Sequence, residues 1–173
     1  MKKIIKKIFD NKEYLIFSFF IISIISWFGE LGYGYLIKHR ASFPGVLYGP
    51  WCPIYGTAFI FLYIFTKNEK NRFYQIISIF ITVILVEYFS SFVCEILFKK
   101  VAWDYTNYPL DISGRICLHM SLLFTIIGYI FMYYVEPAIK KFFNKFKNPK
   151  YINILFVVLF LIDLTITLIS KYK

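Results

Sequence analysis

Five long, almost uncharged runs dominate this chain. A run of about 20 mainly apolar residues is what a helix needs to cross the hydrocarbon core of a bilayer. The segments are Leu15–Ile37, Trp51–Thr66, Phe73–Phe98, Ile116–Val135 and Ile152–Ser170. They predict an all-α fold, a polytopic transmembrane bundle of about five spans in one integral membrane domain over residues 1–173. The composition agrees: 59% of the residues are hydrophobic and 17% charged, against about 45–50% and 25% in soluble domains. The second span is short, and reaches full length only if the preceding stretch Phe43–Gly56 is partly in the membrane. That stretch, "FPGVLYGPWCPIYG", is crowded with the breakers Pro44, Gly45, Gly49, Pro50, Pro53 and Gly56. It predicts a broken or re-entrant segment.

The start, "MKKIIKKIFDNKEYLIF", has the charge of a signal region. The apolar run after it is too long for a cleavable h-region and no small-residue cleavage site follows, so it reads as an uncleaved first span. The net charge of +10 comes from short clusters between the spans, with no nucleic-acid-binding motif. Of the 20 Lys and Arg, 13 lie in the N-terminal tail and in the loops after spans two and four. Cytoplasmic loops carry the Lys/Arg excess, which predicts a cytoplasmic N-terminus and an external C-terminus. The loops Lys38–Pro50 and Lys99–Arg115 then lie outside.

Charged groups at membrane depth are costly and face a bundle interior, a cavity or a partner. Glu30, Glu87, Glu95 and Asp163 are the ones in the spans. At about 100° per residue, Glu87, Ser91, Cys94 and Glu95 share one helix face, and Ser90 lies close by. Ser23, Ser26 and Glu30 make a similar stripe on span one, where Gly29, Gly32 and Gly34 are expected to permit close helix contact. The cations available outside are Arg115, His119 (i+4 from it) and Arg40. The expected arrangement is an outward-facing polar cluster, Glu30, Glu87 and Glu95 opposite Arg115 and His119. The same groups could instead serve only as interhelical hydrogen bonds and ion pairs. Asp163 is set apart, because its span could dock on another subunit.

Cys52, Cys94 and Cys117 lack zinc-type spacing, and no cofactor or metal set is indicated. Cys52 and Cys117 lie near the same face, where a disulfide and buried free thiols are both conceivable. Trp51, Trp103, Tyr105 and Tyr108 suit an interfacial aromatic belt. The chain has no P-loop, no H-E-x-x-H and no G-x-S-x-G.

The strings "GVLYGPWCPIYG" (Gly45–Gly56), "EYFSSFVCEILF" (Glu87–Phe98), "WDYT" (Trp103–Thr106) and "GRICL" (Gly114–Leu118) follow in order. Together they resemble a bacterial family of small multi-span proteins, common in Gram-positive bacteria, whose name assigns it to ABC-transporter permeases of a type IV class. The resemblance covers about residues 30–137. It implies a transport role in the cell membrane, and Thr106 stands where the family typically has serine. On this reading Glu30, Tyr48, Trp51, Tyr55, Glu87, Ser91, Glu95, Trp103, Asp104, Tyr105, Arg115 and His119 are candidates for a substrate site or pathway. A separate ATPase subunit, a partner permease or a homo-oligomer would be needed, alongside membrane lipids and without nucleic acid. Two other readings stay open. One is a membrane-embedded enzyme acting on a lipid or envelope precursor, with Glu87 or Glu95 as base and Arg115 holding an anionic group. The other is a membrane scaffold or regulator.

Overall fold

The computed structural model describes residues 2–36, 39, 44–99 and 101–171; Arg40 lies outside them. The helices are α1 (Lys2–Asp10), α2 (Lys12–Leu36), α3 (Pro53–Thr66), α4 (Arg72–Phe98), α5 (Leu118–Ile130), α6 (Glu136–Phe143) and α7 (Pro149–Lys171). A two-residue antiparallel pair, β1 (Asp111–Ile112) and β2 (Ile116–Cys117), precedes α5. The fold is a helical bundle, as expected. Four helical stretches are long and apolar enough to cross a membrane: α2, α4, the run Leu118–Phe143, and α7. Neighbours in sequence pack as neighbours in space, α2 on α3, α3 on α4 and α4 on α5, while α7 lies against α2.

Local chemistry sets the helix ends. Asn71 caps α4 by accepting from the Phe73 amide at 2.9 Å, and Lys99 closes it in the left-handed conformation at φ 47°. Pro53 opens α3 in the first turn, where its missing N–H costs nothing. The fourth apolar helix does not stop at Val135. A π-helical turn, Phe131–Val135, carries it into α6 and on to Phe143. Pro137 has no N–H for the Tyr133 carbonyl and its ring would press on it; a wider turn absorbs both effects without ending the helix.

Two apolar clusters hold the bundle. The larger joins Tyr14, Phe17 and Ile22 of α2 to Phe59 and Leu62 of α3, Ile79 and Val83 of α4, Met132 of the π turn and Ile139 of α6. The smaller joins Phe20, Leu47, Trp51 and Phe98 to Phe156, Phe160 and Leu164 of α7. The close approach of α2 to α3 depends on Gly56. A Cβ there would lie 2.6 Å from both the Phe19 carbonyl and the Ser23 hydroxyl. Of the glycines expected to do this, Gly29 and Gly32 face open space instead. They sit in the C-terminal turns of α2, beyond the level at which α3 begins.

That level explains the broken segment. With 14 residues, α3 spans about 21 Å at 1.5 Å per residue, well short of a core about 30 Å thick. The Cys52 amide donates to the Ser23 carbonyl at 3.1 Å, and Ser23 lies near the middle of α2. Residues 44–52 therefore run without helix down to half depth before α3 begins. Irregular backbone at that depth must be buried in protein or line a water-filled cavity; Leu47, Trp51 and Cys52 are buried, whereas Gly45 and Tyr48 are exposed. The Gly49 amide donates to Asp163 Oδ2 on α7 at 3.0 Å. Asp163 thus satisfies a backbone donor that the helix break leaves over.

Candidate functional site

The polar side chains separate into two clusters. One lies where α2 and α4 end, the far pole; the other lies at the N-terminal pole.

At the far pole, Glu87, Ser91 and Glu95 stand at i, i+4 and i+8 on α4, forming a ladder up one face. Arg115 reaches across it, with Nη1 donating to Ser91 Oγ at 3.0 Å and Nη2 paired with Glu95. The guanidinium also lies 5.5 Å from the Phe92 ring centre. Below it, the Tyr105 hydroxyl donates to Glu87 Oε1 at 3.2 Å. Glu87 is only 5% exposed, and its Oε2 is buried with no hydrogen-bond partner among the described residues.

The connection from α4 to α5 holds these groups as a strap. The Trp103 indole donates to the Arg115 carbonyl at 2.8 Å, and the Tyr105 amide donates to the Gly114 carbonyl at 2.8 Å. The Gly114 amide in turn donates to Asp111 Oδ1 at 2.8 Å. Gly114 sits at φ +65°, and a Cβ there would meet Asp104 Oδ1 at 2.7 Å. Two short motifs, "WDYT" and "GRICL", are therefore the two sides of one clasp. Asp104 faces solvent and accepts from the Thr106 hydroxyl and, at 3.0 Å, the Thr106 amide. These bonds hold its carboxyl below the usual value. Burial, then the neighbouring Glu87, pushes the Tyr105 phenol up, so it stays a donor at neutral pH.

A second phenol–carboxylate pair lies at the same pole. Tyr55, one turn into α3, donates to Glu30 Oε1 of α2 at 2.6 Å. Two sets, Glu30–Tyr55 between α2 and α3 and Tyr105, Glu87, Ser91, Arg115 and Glu95 between α4 and the strap, thus gather at the far pole.

Three expected members lie elsewhere. Trp51 packs edge-on between Phe20 and Phe160, at 5.7 and 5.9 Å, in the α7-side core. Tyr48 bonds Ser170 of α7 at 3.1 Å. His119 is exposed, beside an apolar groove of about 380 Å³ with Tyr108, Pro109, Leu110, Leu118 and Leu122. The i+4 phase from Arg115 to His119 assumed an unbroken helix. Arg115 instead precedes β2, and two extended residues turn His119 away. Among the described residues, no three of His, Cys, Asp and Glu gather as a metal set, and all three cysteines are free.

The N-terminal cluster centres on Glu136, 1% exposed in the first turn of α6. It pairs with Lys67 and accepts from the Tyr14 hydroxyl at 3.1 Å. Lys140 lies 3.9 Å over the Tyr14 ring. Sequence reasoning missed this group because Glu136–Pro137 reads as a helix stop. The available signal was the helix-compatible pattern resuming immediately after the proline.

A family model described as "Putative ABC-transporter type IV" matches residues 17–168. No curated protein and no solved structure matches the chain.

Proposed function

We propose that this chain, which belongs to the ABC-transporter type IV family just described, is a membrane transport component whose far-pole polar groups form a solute site. On this reading that pole faces outside the cell and the Glu136 pole the cytoplasm, an orientation supported by the Lys/Arg excess at the Glu136 pole. The observation that carries the reading is Glu87, a carboxylate at membrane depth with one oxygen unpartnered, beneath a strap outside the helices. Ser18 Oγ and Asn153 Oδ1 are also buried without a partner among the described residues, but of the three only Glu87 is ionisable and it alone lies beneath the strap. Transport proteins use broken helices to aim backbone and side-chain groups at solutes, and the break at residues 44–52 brings Tyr55 to the same pole. Energy would come from a separate ATPase subunit, since this chain has no P-loop. With five apolar helices, a second copy or a partner permease completes the pathway.

The test is copurification from native membranes with ATP turnover as the readout. Glu87→Gln and Arg115→Lys, at unchanged expression, should keep the ATPase partner bound and lose solute-dependent turnover. Full retention of that turnover in both variants would overturn the site. The lipid-enzyme reading draws on the apolar groove beside His119; purified protein that alone converts labelled lipid precursor would replace the transport reading.

A further inference from the structure

Helix α1 is strongly amphipathic, and neither polar cluster accounts for it. At about 100° per residue, Ile4, Ile5, Ile8 and Phe9 share one side, with Lys6 and Lys7 on the other. The four apolar side chains are all exposed, Phe9 at 67%. Nine residues are too few for a stable isolated helix in water. Contacts with the bundle hold it in place. The Asn11 side chain donates to the Lys7 carbonyl at 3.0 Å and accepts from the Tyr63 hydroxyl at 3.3 Å. Lys7 Nζ donates to the Tyr63 and Ile64 carbonyls, at 2.8 and 2.9 Å, in the last turn of α3. Those carbonyls form the negative end of the α3 dipole. The contact ties α1 to the level where an apolar helix ends and lipid headgroups begin.

We propose that α1 lies in the membrane interface as an anchor for anionic phospholipid, its apolar side in the acyl boundary and its basic side among the headgroup phosphates. Charge complementarity selects this occupant. Of the 20 Lys and Arg, 13 belong to the tail and loops at this pole. Its acids number four: Glu136 is paired with Lys67, Glu13 accepts from Asn153 at 2.7 Å, Glu69 accepts from the Asn71 amide at 2.9 Å, and Asp10 is exposed on the basic side of α1, so the cations remain in large excess. Lys6, Lys12, Lys70, Arg72 and Lys141 are exposed around α1 and the neighbouring loops. A basic amphipathic helix at the headgroup level binds by apolar burial together with attraction to anionic lipid.

The experiment uses the full chain in phosphatidylcholine vesicles, with and without phosphatidylglycerol. A nitroxide is placed on Ile5→Cys, Phe9→Cys or Lys6→Cys, and protein lacking an introduced cysteine sets the background from the native thiols. Collisions with oxygen, which concentrates in lipid, are compared with those from a water-soluble nickel chelate. The oxygen-to-nickel ratio should rise several-fold at Ile5 and Phe9 when phosphatidylglycerol is present, and stay low at Lys6. Lys6→Glu with Lys12→Glu, in the Phe9→Cys protein, should shift that docking equilibrium back by about 5-fold or more per lysine. Equal nickel accessibility at all three positions in both vesicles would overturn the proposal. So would full insertion in phosphatidylcholine alone, or protection that appears only when a protein partner is added.

Discussion

Replacing Lys67 with methionine strands the carboxylate of Glu136 in the bundle. Glu136 is 1% exposed, while the Lys67 side chain is 37% exposed, so solvent already screens part of their attraction. Removing one partner of a buried pair costs about 3–5 kcal/mol. The screening, and the Lys140 ammonium close by over the Tyr14 ring, place this case near the lower end, at about 3 kcal/mol. For a chain of this size that corresponds to a melting temperature lower by about 6–12 °C. Glu136→Gln should cost less, about 1 kcal/mol, because Lys67 can turn to water and the amide oxygen still accepts from Tyr14. The double variant should then melt above Lys67→Met, because no buried charge remains. Cys52 and Cys117 are buried, while Cys94 is half-buried, so in a Cys94→Ser background a thiol-reactive dye in detergent reports unfolding of the bundle. A Lys67→Met protein melting within about 2 °C of the parent would refute the reasoning. So would a double variant whose loss is the sum of the two singles.

Gly56→Ala should destabilise the protein by about 1–3 kcal/mol in the same assay, since the new methyl meets the Phe19 carbonyl, whereas Gly29→Ala should be tolerated. The Asp104 clasp has a defined pH sense. Its carboxyl is held below the ordinary value of 3.8, so its stabilising contribution is present above that value and lost as pH falls through the lower folded value. The expected result is a lower protection factor for the Thr106 amide, measured against the intrinsic exchange rate at each pH, as pH falls through that value, and no such change in Asp104→Asn. Sidedness is checked by Thr106→Cys, which should react with an impermeant thiol reagent in intact cells; labelling only after lysis would invert the proposed orientation.

Apolar run length made the helices legible, because lipid leaves the backbone few ways to satisfy its hydrogen bonds. The broken stretch before α3 was legible for the same reason, since a 14-residue helix is too short to cross alone. The ladder Glu87, Ser91, Glu95 followed from helix periodicity, and Arg115 from being the cation near its upper end. What escaped were contacts between distant segments and departures from regular helix. The partner of Asp163 is the Gly49 amide, 114 positions away, and a backbone group leaves no mark in composition. Glu136 was hidden by a proline that a π turn absorbs, and His119 was misphased because two extended residues stand between Arg115 and α5. Helix α1 passed for a charged tail, since nine residues give a weak periodic signal.

The most direct test of the transport account is ATP turnover by the complex purified on this chain from native membranes. It predicts a copurifying ATPase whose turnover responds to solute with the parent chain and loses that response with Glu87→Gln, the partner staying bound. An ATPase-free preparation, or a complex whose response is unchanged by Glu87→Gln, would contradict it.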